Sequence, residues 1–268
     1  MAFLKKMLSK VGIGAAKIDA RIEKQELIPG EFFTGSLVVT GGKVEQEINK
    51  IDLALVCNYT VEVEKESEDD EGNITTDTVT ETRTHSLCKQ VVEESFTIHP
   101  DEVRKIPFSM ELPASAPLSI GKTETWLTTN LDIDSALDKQ DKDFIKVTAT
   151  PAQQALFDAM SSLGFILQEA DCEGSTKLKS EGLPFMQEFE YVPYSGSFAG
   201  RLDEVELVPL VRDDGLEVLM QVDRKARGLT GLLAEVMGRD ESNLRFTVSS
   251  DSLDNLESMI GELIEANA

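Results

Sequence analysis

Residues 44–66 read VEQEINKIDLALVCNYTVEVEKE. From Ile51 through Leu53, Leu55, Cys57, Tyr59, Val61 and Val63, every second residue is apolar or aromatic. Successive side chains of an extended chain leave opposite faces, so a period of two means a strand with one face buried. Residues 74–94, ITTDTVTETRTHSLCKQVVEE, carry the Thr and Val content of a half-exposed strand. Between the two lies EKESEDDEGN (64–73), which no packed core accepts; it is expected to be a solvated hairpin tip.

The same pattern extends in both directions. KIDARIE (17–23) puts Ile18, Ala20 and Ile22 on one face, and turns at Pro29-Gly30 and Gly41-Gly42 bracket an extended run from Phe33 to Val39. IPFSMELP (106–113) and KTETWLTTNLDI (122–133) add strands on either side of the Pro- and Ser-containing PASAPLSIG. A second series comprises DFIKVTAT (143–150), LGFILQEADCE (163–173), MQEFEYVP (186–193), EVELVPL (204–210) and GLEVLMQVD (215–223). One helix interrupts it: Pro151 opens PAQQALFDAMSSLGF, where Ala155, Leu156, Ala159, Met160 and Leu163 recur at helical spacing before Gly164. Short strands punctuated by Gly and Pro indicate an all-β chain of two tandem β-sandwiches. Short helices end it: GLTGLLAEVMG (228–238) and, more regularly, SDSLDNLESMIGELIEANA (250–268), with Asp251 or Ser252 as N-cap.

Composition narrows the function. Forty-nine acidic against 26 basic residues give a formal net charge of −23, a surface that repels phosphate backbones, so no nucleic-acid partner is expected. Three cysteines without a CxxC pair point to reduced thiols rather than a disulfide framework. The start has no apolar core of signal-peptide length, and no run approaches the ~18 apolar residues of a membrane span. A soluble cytoplasmic protein is the expectation.

NLDIDSALDKQDKD (130–143) crowds five aspartates together. An EF-hand loop starting at Asp132 would need a ligand at Ala136 and glycine at Leu137; from Asp138, Lys142 occupies a ligand position. The stretch is read instead as an acidic hinge over 132–142, with Asp134, Asp138, Asp141 and Asp143 keeping it hydrated by mutual repulsion. No catalytic residue is assigned. His85 and Cys88 stand three apart and so leave opposite faces of a strand, and SGSFAG (195–200) spaces its glycines wrongly for a nucleophile elbow. GGK (41–43) is followed by Val44, which is no phosphate loop. No cofactor and no structural metal are expected.

Both ends carry amphipathic helical patterns. Phe3, Leu4, Met7, Leu8 and Val11 share a face away from Lys5, Lys6 and Lys10, suited to packing over a sheet, to an acidic partner or to peripheral contact with a membrane surface. Leu256, Met259, Ile260 and Leu263 form a stripe near the C-terminus that could cover the second sandwich, a partner or a second copy of the chain. Phe3, Leu4, Lys5, Lys6, Met7, Leu256, Met259, Ile260 and Leu263 are accordingly the candidate partner-binding residues.

The stretches FLKKMLSKVGIGAAKIDARIE, PGEFFTGSLVVTGG, TWLTTNLDIDSALDKQDKDFIKV, LFDAMSSLGF, MQEFEYVP and GRLDEVELV together resemble the sporulation-control family, stage-zero sporulation protein M, as far as about Arg227. The resemblance implies an arrestin-like fold of two β-sandwiches joined at a hinge. It also implies a non-enzymatic regulator linked to sporulation control and to cell-division or cytoskeletal machinery. On this reading the domains are 1–131 with a helix over 2–12, an acidic hinge 132–142, a second sandwich 143–227 and a helical extension 228–268. The chain acts as a scaffold through protein–protein interaction, and its edge strands permit a homodimer. The alternative is a calcium- or glycan-binding β-sandwich.

Overall fold

A computed structural model describes residues 15–68, 74–134, 139–224 and 241–268. The chain is mostly strand, as expected, and its contacts divide it into two units. Unit 1 comprises Met1–Asn58, Thr84–Ser119 and Glu124–Thr148; unit 2 comprises Tyr59–Arg83, Ile120–Thr123 and Ala149–Ala268.

In unit 1, strands β1 (Lys17–Ile22), β3 (Phe32–Thr40) and β7 (Val103–Glu111) form an antiparallel sheet in the order β1-β3-β7. A second sheet is built on the first half of β4 (Gln46–Glu68), flanked by β8 (Thr125–Ile133), then β9 (Lys139–Val147) and the short β2 (Glu26–Leu27). β6 (Phe96–Ile98) also pairs with β4. The apolar alternation of the sequence becomes the burial pattern: Ile51, Leu53, Leu55 and Cys57 are fully buried, as are Leu37 and Val39 across the core. β1 lies against β8 and β9, which brings the two buried faces together. Phe33 and Phe108 meet edge to face at 6.2 Å.

In unit 2, β10 (Phe165–Gly174), β11 (Phe185–Pro193), β12 (Leu202–Arg212), β13 (Gly215–Arg224) and β14 (Glu241–Val248) form an antiparallel meander. Thr60 of β4 pairs with Glu173 at its β10 edge. Helix α1 (Pro151–Ser162) covers one face, with the Phe157 ring 4.9 Å from Phe189. Helix α2 (Leu256–Asn267) packs on α1. Thr150 and Gln153 cap α1 reciprocally: the Gln153 amide donates to Thr150 Oγ1 at 3.2 Å and the Thr150 amide to Gln153 Oε1 at 2.9 Å. Thr150→Ala is expected to lower stability by about 1–2 kcal/mol, while Thr150→Ser stays near wild type in urea unfolding. On the other face, buried Glu217 accepts from Arg212 at 2.9 Å and from Arg245, and Arg212 reaches on to Glu181 at 2.7 Å.

Three expectations need correction. The stretch 132–142 is not a connector between the units: β8 and β9 pair from Thr125–Ile145 to Leu131–Lys139, and the division into units falls after Thr148. DFIKVTAT therefore closes unit 1 instead of opening unit 2. Conversely, the far part of the β4–β5 pair, residues 59–83, groups with unit 2; β4 and β5 (Ile74–Glu93) run 23 and 20 residues, well beyond an ordinary strand. Finally, ESNLRFTV is strand β14 and not part of a helical extension, with Phe246 opposite Val218 and Val248 opposite Leu216. GLTGLLAEVMG lies outside the described residues. Among the described residues no helix is long and apolar enough to cross a membrane.

Candidate interaction surfaces

The C-terminal stripe faces inward. Leu256, Ile260 and Ile264 of α2 are 0–2% exposed, and Met259 and Leu263 are half-buried. Gly261 sits where a Cβ would stand 3.2 Å from Leu163, so α2 closes tightly over the end of α1. On its outer side Arg201 grips Glu265 with two hydrogen bonds of 2.8 and 2.9 Å. Leu256 and Ile260 are thus core residues, which corrects their assignment to partner binding. An apolar stripe at helical spacing reads the same whether its cover is a partner or the chain's own sheet and helices. Phe3, Leu4, Lys5, Lys6 and Met7 lie outside the described residues, as does Asp138.

The remaining aspartates of the acidic stretch belong to one hairpin. Asp132 on β8 accepts from Asn49 Nδ2 at 2.9 Å, and the Asp134 amide donates to the Glu47 carbonyl. Asp141 and Asp143 lie on β9 opposite Thr129 and Leu127, on the face that carries the core. Asp141 Oδ2 accepts from the Ala20 amide at 3.1 Å. Burial, then the Asp141 and Asp19 carboxylates, push the Asp143 carboxyl up to about 6.

One heavily charged surface was not anticipated from the sequence. It is the face of the unit 2 sheet opposite α1. Pairing sets Glu169 against Glu190, Asp171 against Glu188, Glu190 against Glu206 and Glu204 against Asp223. Like charges directly across an antiparallel pair repel. Oxygens of half-buried Glu204, Glu206 and Asp223 all lie within 4.8 Å of one another. Lys177 and Arg245 line a groove of about 290 Å³ together with Glu188 and Glu206. Partial burial, then the surrounding carboxylates, raise Glu173 and Glu190 and push Glu206 up to about 7. The available signal was the alternation in LQEADCE, MQEFEYVP and LDEVELV; the strand register that turns it into opposed pairs was not.

This face makes stability depend on pH. The unfolded chain releases the Glu206 proton near 4.5, whereas the folded chain holds it to about 7. The stabilisation from that proton is therefore complete below about 4.5 and is lost as pH rises through about 7. Glu206→Gln is expected to stabilise the chain above neutrality by about 1 kcal/mol after allowance for solvent screening. Urea unfolding at acid and alkaline pH measures it; an identical pH slope in wild type and variant would contradict the expectation.

The family model of the SpoOM protein matches residues 4–226. The chain belongs to the SpoOM family. The sporulation-control protein Spo0M of Bacillus subtilis (strain 168) is 41% identical over 271 aligned residues, covering 100% of both chains. Likeness to a SpoOM relative thus continues past Arg227 through β14 and α2. The crystal structure of Bacillus subtilis Spo0M superposes with a TM-score of 0.79 at 39% identity, over 96% of this chain and 100% of that one. In this SpoOM-family chain burial disfavours the thiolate: Cys57 is buried and pushed up to about 12, Cys172 is buried, and partial burial also raises the half-buried Cys88. His99 pairs with Glu45 at 2.9 Å on the surface, and burial lowers the half-buried His85.

Proposed function

We propose that the chain is a cytoplasmic, non-enzymatic regulator of sporulation, an arrestin-like scaffold whose two units present surfaces to protein partners of the cell-division or cytoskeletal machinery. The observation that carries this reading is the end-to-end correspondence with a sporulation-control protein, 41% identical with both chains fully covered. The burial of Cys57 and Cys172 agrees with a role played by surfaces and not by a nucleophile. With Leu256 and Ile260 occupied internally, strand addition along β14, the outer strand of this sheet among the described residues, is the better route to a partner. Complementation tests the reading: Bacillus subtilis cells lacking their own Spo0M and expressing this chain should recover the normal frequency and timing of sporulation. A stably expressed chain that leaves the deletion phenotype unchanged would overturn it.

A further inference from the structure

Four buried side-chain oxygens among the described residues have no hydrogen-bond partner: Thr125 Oγ1, Thr129 Oγ1, Asn130 Oδ1 and Asp143 Oδ2. Buried polar atoms are normally satisfied, so each orphan calls for a physical explanation. Three of the four leave the same face of the β8–β9 hairpin, because Thr125, Leu127 and Thr129 stand opposite Ile145, Asp143 and Asp141. We propose that this face binds a hard divalent cation of the magnesium or calcium kind, held by the carboxylates of Asp141 and Asp143 and the hydroxyl of Thr129.

Thr129 is fully buried and directly faces Asp141; Asp143 is its diagonal neighbour, roughly 7–8 Å away across the pair. Thr125 is four residues along the strand, roughly 13 Å from Thr129 at the strand rise, too far to share one ion. The Ala20 amide fixes one oxygen of Asp141. Two negative charges brought together at the edge of a core repel unless a proton or a cation stands between them. The neighbouring charges that act on Asp143 are carboxylates, first Asp141 and then Asp19 of β1. Lys139 lies further toward the turn on the same face, opposite Leu131, and Lys142 points to the other face, over the Trp126 ring at 3.6 Å. Carboxylate and hydroxyl oxygens without histidine or thiolate select a hard ion.

Calcium chloride and magnesium chloride are titrated separately into the full chain at slightly alkaline pH, against sodium chloride of matched ionic strength. Calorimetry follows binding, and Trp126 fluorescence, reporting from the same hairpin, follows thermal unfolding. One saturable site is expected for at least one of the two ions, with a dissociation constant of about 10⁻⁴–10⁻³ M, the range of weakly charged oxygen sites. The ion should raise the melting temperature by a few degrees. Asp143→Asn should abolish the heat while raising the ion-free melting temperature, since it also removes the like-charge contact. Thr129→Val should weaken binding about tenfold, one lost oxygen ligand, and Glu206→Gln should leave binding intact. The proposal falls if neither ion gives saturable heat and the hairpin responds only to acid, which would make the pair a shared-proton site. It falls equally if Asp143→Asn binds like wild type while Glu206→Gln does not.

Discussion

Ile260→Asp is expected to destabilise unit 2 by about 4 kcal/mol or more, combining the cavity left by a buried isoleucine with the burial of an unpaired carboxylate. Ile260 is fully buried between Leu256 and Ile264 on the inward side of α2, and the helix rests on α1, which in turn covers the sheet. The damage should therefore spread to the layer around Phe157 and Phe189. Far-UV circular dichroism during urea unfolding would show a lower midpoint or a separate early transition. Glu262→Lys, on the exposed side of the same helix, should stay within about 0.5 kcal/mol of wild type. If α2 were a recognition element resting loosely on the protein, Ile260→Asp would melt like the Glu262 control, and the core assignment would be lost.

Gly41→Val is expected to cost about 3 kcal/mol or more in unit 1. A Cβ at position 41 would lie 1.9 Å from the His99 carbonyl oxygen and 3.3 Å from the Glu102 nitrogen. The Gly41 amide itself donates to the Glu102 carbonyl at 2.8 Å, and the His99 amide to the Glu102 side chain at 2.9 Å, so the end of β3 is pinned to the 99–102 turn. Both partners in the clash are backbone, and no side-chain rotation relieves it. Trp126, the chain's single tryptophan, sits in unit 1 and makes its fluorescence a direct reading of this change. A loss below about 1 kcal/mol would mean that the two segments separate easily, contrary to the geometry.

Much of the architecture was legible because burial imposes period. Ile51, Leu53, Leu55 and Cys57 announced their strand, and Pro151 with Gly164 bracketed α1 correctly. The units were not legible because each is assembled from three separate segments. A reading along the chain assigns contiguous domains, and nothing local in Tyr59–Arg83 tells that it groups with residues beyond 149. Strand β14 was missed because Leu244, Phe246 and Val248 lie between two helical patterns that absorbed them. The acidic hairpin was misread for a related reason: five aspartates suggest solvent, whereas the alternation of Asp141 and Asp143 with Lys142 is that of a strand, and pairing with Thr129 and Leu127 decides which face they take. Gly41 was read as a turn residue, and its actual requirement, room for a neighbouring backbone, depends on a segment sixty residues away.

The rows of carboxylates on the sheet of unit 2 also constrain self-association. Two copies meeting through that surface would press Glu188, Glu190, Glu204 and Glu206 of one molecule against the same residues of its twin. A twofold assembly must therefore be glued elsewhere, and high salt, by muting the mutual repulsion, should be the condition under which an otherwise forbidden stacking of these faces first becomes visible.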